Sequence, residues 1–172
     1  MNKFNFKLHF IDKTLPVDFY AQTALVDLNN DGKLEYILGQ RWGTIFWYQM
    51  VTPDHWVRHV LGENSPSDVG GCPLDVDGDG WVDYVSCGVW YRNPGRIDRP
   101  FQRIVFDSQL NGVHDILTAD VDADGKPEII TMSDQNNLRW YKIPDDPTQP
   151  WQHYDIGPAV HAGIAAGDID GD

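Results

Sequence analysis

Short stretches of strand-forming residues follow one another along the chain, separated by polar turns. One group of these stretches is rich in β-branched and aromatic residues and lies at 34–38, 82–86 and 128–132. Each is followed by a Trp-Tyr pair and then by an alternating stretch that opens with an aromatic residue, such as 56–61. Gly, Pro, Asn and Asp separate the stretches, as turn residues separate strands. Because no stretch keeps a 3.6-residue period, the pattern predicts an all-β protein.

A short acidic pattern recurs after an apolar run. Its copies begin at Asp27, Asp75, Asp120 and Asp168, at intervals of 48, 45 and 48 residues. A period near 45 residues is typical of a four-stranded β-propeller blade. We therefore predict one incomplete domain, 1–172, that forms a partial β-propeller of four-stranded antiparallel blades. The predicted blades are 18–62, 66–107, 112–157 and a truncated fourth blade at 160–172.

The N-terminal stretch 4–12 matches the register of a fourth strand. Residues 6–11 align with 56–61. A chain that begins with a fourth strand can pair it with its last blade, which closes the ring and removes an open sheet edge. We expect 4–12 to be such a ring-closing outer strand. Since the sequence ends inside the fourth acidic pattern, we also expect the remainder of a longer chain.

Charge narrows the range of partners. The 172 residues include 26 acids and 13 bases, which gives a formal net charge of −13. This balance argues against nucleic acid, whose phosphates attract a basic surface. No apolar stretch approaches a membrane span, so we expect no membrane insertion, and 1–17 show no signal peptide. Cys72 and Cys87 do not form a disulfide framework, and their spacing leaves open whether they are bridged.

The acids are concentrated in the repeated pattern, which holds 14 of the 26. Carboxylates packed this closely repel one another unless a cation lies among them. Alternate side-chain oxygens, a glycine for a sharp turn and a position 7 that needs only its carbonyl suit Ca²⁺, which takes six to eight oxygens. The predicted ligands at positions 1, 3, 5, 7 and 9 are Asp27, Asn29, Asp31, Lys33, Glu35, Asp75, Asp77, Asp79, Trp81, Asp83, Asp120, Asp122, Asp124, Lys126, Glu128, Asp168, Asp170 and Asp172.

The acidic pattern has two other interpretations. An EF-hand needs a Glu at position 12 and flanking helices, whereas position 12 is Leu38, Ser86 or Thr131 between predicted strands. Acidic turns without metal are the second alternative. A catalytic metal would need an open coordination position, and each loop supplies enough oxygens to fill its own ion. The sequence favours structural calcium, which points to an extracellular or periplasmic location although no export signal is visible.

The repeated loops with strands on both sides resemble the FG-GAP and VCBS repeat families, which include the propeller of integrin α chains. The Phe-Gly and Gly-Ala-Pro segments of the FG-GAP name are absent, so the likeness is greater to bacterial VCBS-type blades. The resemblance implies that each metal loop joins the first and second strands of a blade. It also implies that ligands bind on the opposite face.

Four residues occupy equivalent positions before the loops and are candidates for a site on that opposite face. They are Tyr20, Asp68, His114 and His161, six or seven residues before each first Asp. The two histidines could ligate an additional divalent metal or act as acid and base. Arg41 and Trp42 lie in a predicted second-to-third strand turn, where a cation and an aromatic face suit a carboxylated or neutral sugar. The alternative is that all these side chains are ordinary loop and packing residues.

Three functions remain open at this stage. The first is an enzyme acting on carbohydrate, since the chain is similar to propeller domains of polysaccharide lyases and of the aldos-2-ulose dehydratase type. That similarity rests on segments such as 89–94 and implies a lyase or dehydratase in which His114 and His161 act. The second is a non-catalytic module that binds a protein or glycan, as integrin-type propellers do. The third is a structural spacer.

Overall fold

The computed structural model describes residues 4–15, 19–158, 161 and 163–169. Within them, every regular element is a strand. The strands are β1 (Tyr20–Val26), β2 (Glu35–Gln40), β3 (Ile45–Thr52), β4 (His55–Gly62), β5 (Cys72–Leu74), β6 (Asp83–Ser86), β7 (Val89–Arg92), β8 (Gln102–Val105), β9 (Val113–Ala119), β10 (Glu128–Ser133), β11 (Asn137–Lys142) and β12 (Gln152–Gly157).

The strands form three separate four-stranded sheets. Each sheet takes four consecutive strands in chain order, and all neighbours pair antiparallel. We name them blade 1 (β1–β4), blade 2 (β5–β8) and blade 3 (β9–β12). This confirms the predicted all-β architecture of a partial propeller. Among the described residues the blades do not close into a ring.

Two apolar cores lie between successive blades, so each blade is stabilised by its neighbour. Between blades 1 and 2, Trp47 and Leu61 pack in one cluster with Tyr84 and Phe101. Between blades 2 and 3 the cluster consists of Val76, Val85, Cys87, Trp90, Phe106, Leu110, Val113, Ile116, Ile129, Tyr141 and Trp151. Burying aromatic side chains of this size supplies most of the favourable free energy of such an interface.

A main-chain hydrogen bond repeats at the two blade junctions. The aromatic residue before β8 and the one before β12 each donate a backbone N–H to a carbonyl at the end of the previous blade's fourth strand or directly after it. Phe101 donates to the Leu61 carbonyl at 2.7 Å, and Trp151 donates to the Phe106 carbonyl at 3.1 Å. The Trp151 ring also stacks on Phe106 with centroids 4.0 Å apart. The predicted opening aromatic therefore joins neighbouring blades.

The N-terminal segment, residues 4–15, packs against blade 1 without forming a strand. Its Asp12 accepts a hydrogen bond from the Tyr48 hydroxyl at 3.0 Å. In the same way Asp107, which follows the fourth strand of blade 2, accepts from the Tyr141 hydroxyl of blade 3 at 2.8 Å. Asp12 thus accepts from blade 1 the hydrogen bond that blade 3 donates to the residue after the fourth strand of the preceding blade. The ring-closing role of 4–12 stays a prediction, because its partner strand would belong to a closing blade.

The fourth repeat is only partly described. Residues 163–169 carry no strand, since a first strand needs a second strand to pair with. Asp168 is exposed, while the predicted ligands Asp170 and Asp172 lie outside the described residues. In blade 3, Trp140 stacks on Tyr154 at 4.4 Å. Trp140 is only half-buried, whereas its equivalents in blades 1 and 2 are covered by the following blade.

Cys72 and Cys87 are unbridged thiols in blade 2. Burial raises the pKa of each thiol to about 11, so both are uncharged at neutral pH. They are packing residues. In the part of the chain that the structure describes, no helix has the length and apolar character needed to cross a membrane.

Candidate metal centres at the two ends of the blades

The acidic repeats form three loops at equivalent places in the blades. Loop 1 (27–35), loop 2 (75–83) and loop 3 (120–128) each join the first and second strands of a blade. Position 6 of each loop is a glycine in the left-handed region, with φ of +82° at Gly32, +87° at Gly80 and +85° at Gly125. A side chain at this φ would be strained, so the glycines allow the sharp turn that brings the flanking acids together.

Position 1 organises each loop through its carboxylate. In loop 1, Asp27 accepts the backbone N–H of Asp31 at 3.1 Å and that of Gly32 at 2.8 Å. Positions 5 and 6 of loops 2 and 3 donate in the same way, to Asp75 and Asp120. The first acid therefore folds the loop back on itself, and the three loops share one main-chain arrangement.

Position 9 places a carboxylate inside the protein. Glu35, Asp83 and Glu128 are 1%, 0% and 1% exposed. Each accepts the backbone N–H of the residue after position 1, at 2.8 to 2.9 Å. Burial, reinforced by Asp77 and Asp79, raises the pKa of Asp83 to about 7, and burial also raises the pKa of Glu35. A buried carboxylate needs a compensating charge, which a bound cation would supply.

Positions 1, 3 and 9 converge in two of the loops. Single oxygens of Asp75, Asp77 and Asp83 lie within 4.8 Å of one another, and the same holds for Asp120, Asp122 and Glu128. In loop 1 position 3 is Asn29, whose side-chain amide lies 3.4 Å from Glu35 Oε1. The side-chain atoms of these residues that could bind a metal ion are all oxygens, the ligands that a hard cation such as Ca²⁺ prefers. The donor set and the buried acid therefore fit calcium.

Loops 2 and 3 also contact a positively charged side chain on the third strand of their own blade. These contacts were not predicted from the sequence. Arg92 Nε lies 2.6 Å from Asp77 Oδ2, and Lys142 Nζ lies 2.9 Å from Asp124 Oδ2. Lys142 also pairs with Asp122. Both cations directly follow a Trp-Tyr pair, and this position in blade 1 is the neutral Gln49. The charge of the residue after each Trp-Tyr pair is the sequence feature from which these contacts could have been predicted.

The third-strand cation offsets the additional acid of loops 2 and 3. Loop 1 carries three acids at positions 1, 5 and 9, and no third-strand cation faces it. Loops 2 and 3 carry a fourth acid at position 3 and one contacting cation each. The acids at positions 1, 3, 5 and 9 and that cation sum to −3 in each loop, while the position-7 lysines, Lys33 and Lys126, bring loops 1 and 3 to −2. The third-strand cation therefore offsets the acid at position 3, and the full charge of the three loops is not identical.

A second cluster lies at the other end of blade 3. His114 near the start of β9, Asp134 just after β10 and His161 beyond β12 meet there. Asp134 Oδ2 lies 2.7 Å from His114 Nε2 and 2.9 Å from His161 Nδ1. The hydrogen bond from His161, and that from His114, lower the pKa of the Asp134 carboxyl. The contact of Asp134 with both histidines was not predicted from the sequence.

The other predicted ligand-binding residues have different neighbours from those of this cluster. The Tyr20 ring packs on Phe46 of its own blade with centroids 6.2 Å apart, and Asp68 is half-buried. Trp42 is 65% exposed in the turn between β2 and β3, and the Arg41 guanidinium lies 5.6 Å from its ring centroid. Of the four equivalent positions, the structure brings together the two histidines.

Comparison with known proteins identifies the repeats. The FG-GAP-like repeat family matches the chain at residues 75–131 and 120–172, which together cover more than half of it. No curated protein matches. The crystal structure of the V. cholerae biofilm matrix protein Bap1 is similar in fold, with a TM-score of 0.51 and 20% sequence identity. The likeness covers 81% of this chain but only 22% of the Bap1 chain.

Proposed function

Because the chain belongs to the FG-GAP-like repeat family, we propose that it is a calcium-stabilised β-propeller repeat module that binds carbohydrate opposite its acidic loops. The observation that carries the calcium assignment is the buried carboxylate at position 9 of every described loop. That charge lies beside further acids and oxygen donors at positions 1 and 3. A bound Ca²⁺ would offset the repulsion and fix the turn between the first and second strands.

The carbohydrate assignment rests on the turn between β2 and β3. Strand β2 separates this turn from loop 1, so the two lie at opposite ends of the strand. The turn presents the exposed Trp42 ring with Arg41 beside it. An aromatic face stacks on a sugar ring, and a guanidinium binds a carboxylate in a bidentate manner. A polysaccharide of uronic acids offers a sugar ring to Trp42 and a carboxylate to Arg41.

A binding experiment tests this surface. We expect polygalacturonate to bind the calcium-loaded protein and dextran to bind more weakly. Trp42→Asn should weaken binding at least tenfold, since Asn tolerates the φ of +57° at this position without an aromatic face. Arg41→Gln should abolish the preference for the charged polymer. Arg96→Gln is the control, because Arg96 is exposed elsewhere and pairs with Asp98.

The alternative is a non-catalytic module of the integrin type that binds a protein. It would be supported if neither polysaccharide bound and Trp42→Asn had no effect on either. The structure gives this alternative the same exposed turn, because an aromatic residue beside an arginine is also common at protein interfaces.

A carbohydrate lyase or dehydratase is the remaining alternative. The observation that favours it is the His114 and His161 pair sharing one carboxylate oxygen. Alanine at either histidine separates the two classes. Lost turnover with polysaccharide binding intact would indicate an enzyme, whereas unchanged binding with no turnover in the parent protein would indicate a binding module.

A further inference from the structure

His114, Asp134 and His161 come from three separate segments of the chain and meet at one point. Their potential ligand atoms all lie within 4.8 Å of one another. The two imidazole rings are 3.8 Å apart between centroids and are inclined at 54°. They are therefore not stacked flat, and a nitrogen of each ring faces the same carboxylate oxygen.

The segments that carry the cluster are fixed by other contacts. The backbone N–H of Asp134 donates to the Gly112 carbonyl at 3.1 Å. Ser133 Oγ accepts the backbone N–H groups of Gln135 at 3.1 Å and Asn136 at 3.0 Å, which hold the turn. Three residues after His161, Ile164 donates its N–H to Asp115 Oδ2 of β9 at 2.9 Å. These contacts hold three donors close together near the protein surface.

The donor chemistry differs from that of the acidic loops. Two imidazole nitrogens and one carboxylate oxygen suit a borderline divalent transition metal, whereas Ca²⁺ selects oxygen ligands. Without a metal ion, the three side chains are joined by hydrogen bonds, because each neutral imidazole can donate one N–H to Asp134. A divalent ion that replaced these two protons would bind the same two nitrogens and the same carboxylate oxygen.

Distance separates the cluster from loop 3. Glu128 begins β10 and Asp134 follows its last residue. Six residues of extended strand span about 20 Å at ~3.3 Å per residue. An ion at the histidines would therefore share no ligand with an ion in the loop.

We propose that His114, Asp134 and His161 form a transition-metal site of the zinc class, with His114 Nε2, Asp134 Oδ2 and His161 Nδ1 as its protein ligands. Three protein ligands leave a fourth position of a tetrahedral ion for water or an oxygen of a bound ligand. The His161 side chain is 73% exposed and His114 is 27% exposed, so solvent reaches this position. The site does not depend on calcium in the loops.

Zinc titration of the full chain in saturating Ca²⁺ tests the proposal. Calcium then competes with zinc for the acidic loops, whose ligands are all oxygens, and leaves the histidine cluster for zinc. Calorimetry should detect one equivalent of Zn²⁺. Asp134→Asn and His161→Ala should each weaken binding at least tenfold. His55→Ala is the matched control, since His55 is exposed at the start of β4 and belongs to no described cluster of potential metal ligands. It should bind zinc as the parent protein does.

Co²⁺ gives a second readout that a structural role would not produce. Visible absorption of a low-symmetry Co²⁺ complex should appear in the parent protein and in His55→Ala, and should be lost in His161→Ala. Circular dichroism should be the same in all variants, because the replaced side chains are at the surface. Absence of zinc binding in the parent, or equal binding in Asp134→Asn and His161→Ala, would overturn the proposal.

Discussion

Loop 1 and loop 2 occupy the same place in successive blades but reach their charge differently. Loop 1 has Asn29 at position 3 and the neutral Gln49 after the Trp-Tyr pair of its blade, whereas loop 2 has Asp77 at position 3 and contacts Arg92. Loop 3 follows loop 2, with Asp122 facing Lys142. The added acid and the added cation occur together. This difference indicates that the added cation offsets the added acid at position 3, so the residue type at that position can vary between loops.

The comparison also separates two components of each loop. The position-1 and position-9 acids make the same hydrogen bonds in all three loops, so they belong to the shared framework. The position-3 residue and its third-strand partner vary as a pair. Changes to the framework should therefore have larger effects than changes to the pair.

Removal of calcium should have the largest effect, since it acts on every loop. An ion present at a hundredfold excess over its Kd stabilises the folded state by about 2.7 kcal/mol per site. For a chain of this size, each kcal/mol corresponds to ~2–4 °C in melting temperature. Calorimetric melting with EDTA, and again after Ca²⁺ is restored, measures the shift. A melting curve that neither treatment moves would contradict the calcium assignment.

Glu128→Gln should have the next largest effect, with opposite signs in the two metal states. The amide keeps the shape of the side chain and can accept from the Val121 N–H, but it removes the buried charge. Calcium affinity of loop 3 should fall about tenfold or more, which is ~1.4 kcal/mol. Without calcium the variant should be as stable as the parent or more stable, because an uncompensated buried carboxylate is lost.

Asp145→Asn serves as the control for that change, since Asp145 is fully exposed and lies 3.9 Å from Lys126. Calcium titration followed by calorimetry, together with melting in EDTA, measures both signs. If Glu128→Gln lowered stability equally with and without calcium, the carboxylate would be a structural hydrogen-bond acceptor alone.

Arg92→Gln should have the smallest effect and distinguishes loop 2 from loop 1. Surface ion pairs contribute ~0.5–1 kcal/mol at most, so loss of the guanidinium should destabilise the calcium-free protein slightly. Because Arg92 repels a divalent ion bound to Asp77, calcium affinity of loop 2 should rise about two- to fivefold. Gln49→Lys should change loop 1 in the reverse direction, and adding Asn29→Asp should restore it.

Loop 2 can be monitored separately, because its position 7 is Trp81 while the other two complete loops have lysine there. Tb³⁺ emission sensitised by Trp81, displaced by added Ca²⁺, reports the affinity of this loop. Lower affinity in Arg92→Gln would indicate that the arginine positions Asp77 for the ion and does not compete with it.

The sequence was sufficient for the fold because each repeat contains the whole pattern of one blade. Trp47 and Trp90 recur at matching positions, and both are buried between blades. The first-to-second strand placement of the loops was implied by the resemblance to FG-GAP and VCBS repeats, and the structure has it. Trp140 departs from the pattern in being half-buried, and no strand is described after β12 that packs on it.

The missed contacts depend on register between non-adjacent positions. Arg92 reaches Asp77 because the third strand lies beside the second, and nothing local in 75–83 indicates this. Asp134 meets His114 because β9 and β10 are antiparallel, which places the start of one beside the end of the other. The stretch 4–12 alternates like a strand, but a strand forms only where a partner supplies hydrogen bonds.

The repeated bond from Phe101 to Leu61 and from Trp151 to Phe106 makes each blade depend on the one before it. Interactions limited to adjacent units give a row of coupled elements that need not unfold in a single step. A blade flanked on both sides should exchange its amide hydrogens more slowly than one with a single neighbour. Blade 2 would then be the most protected part of the chain, with protection decreasing towards blades 1 and 3.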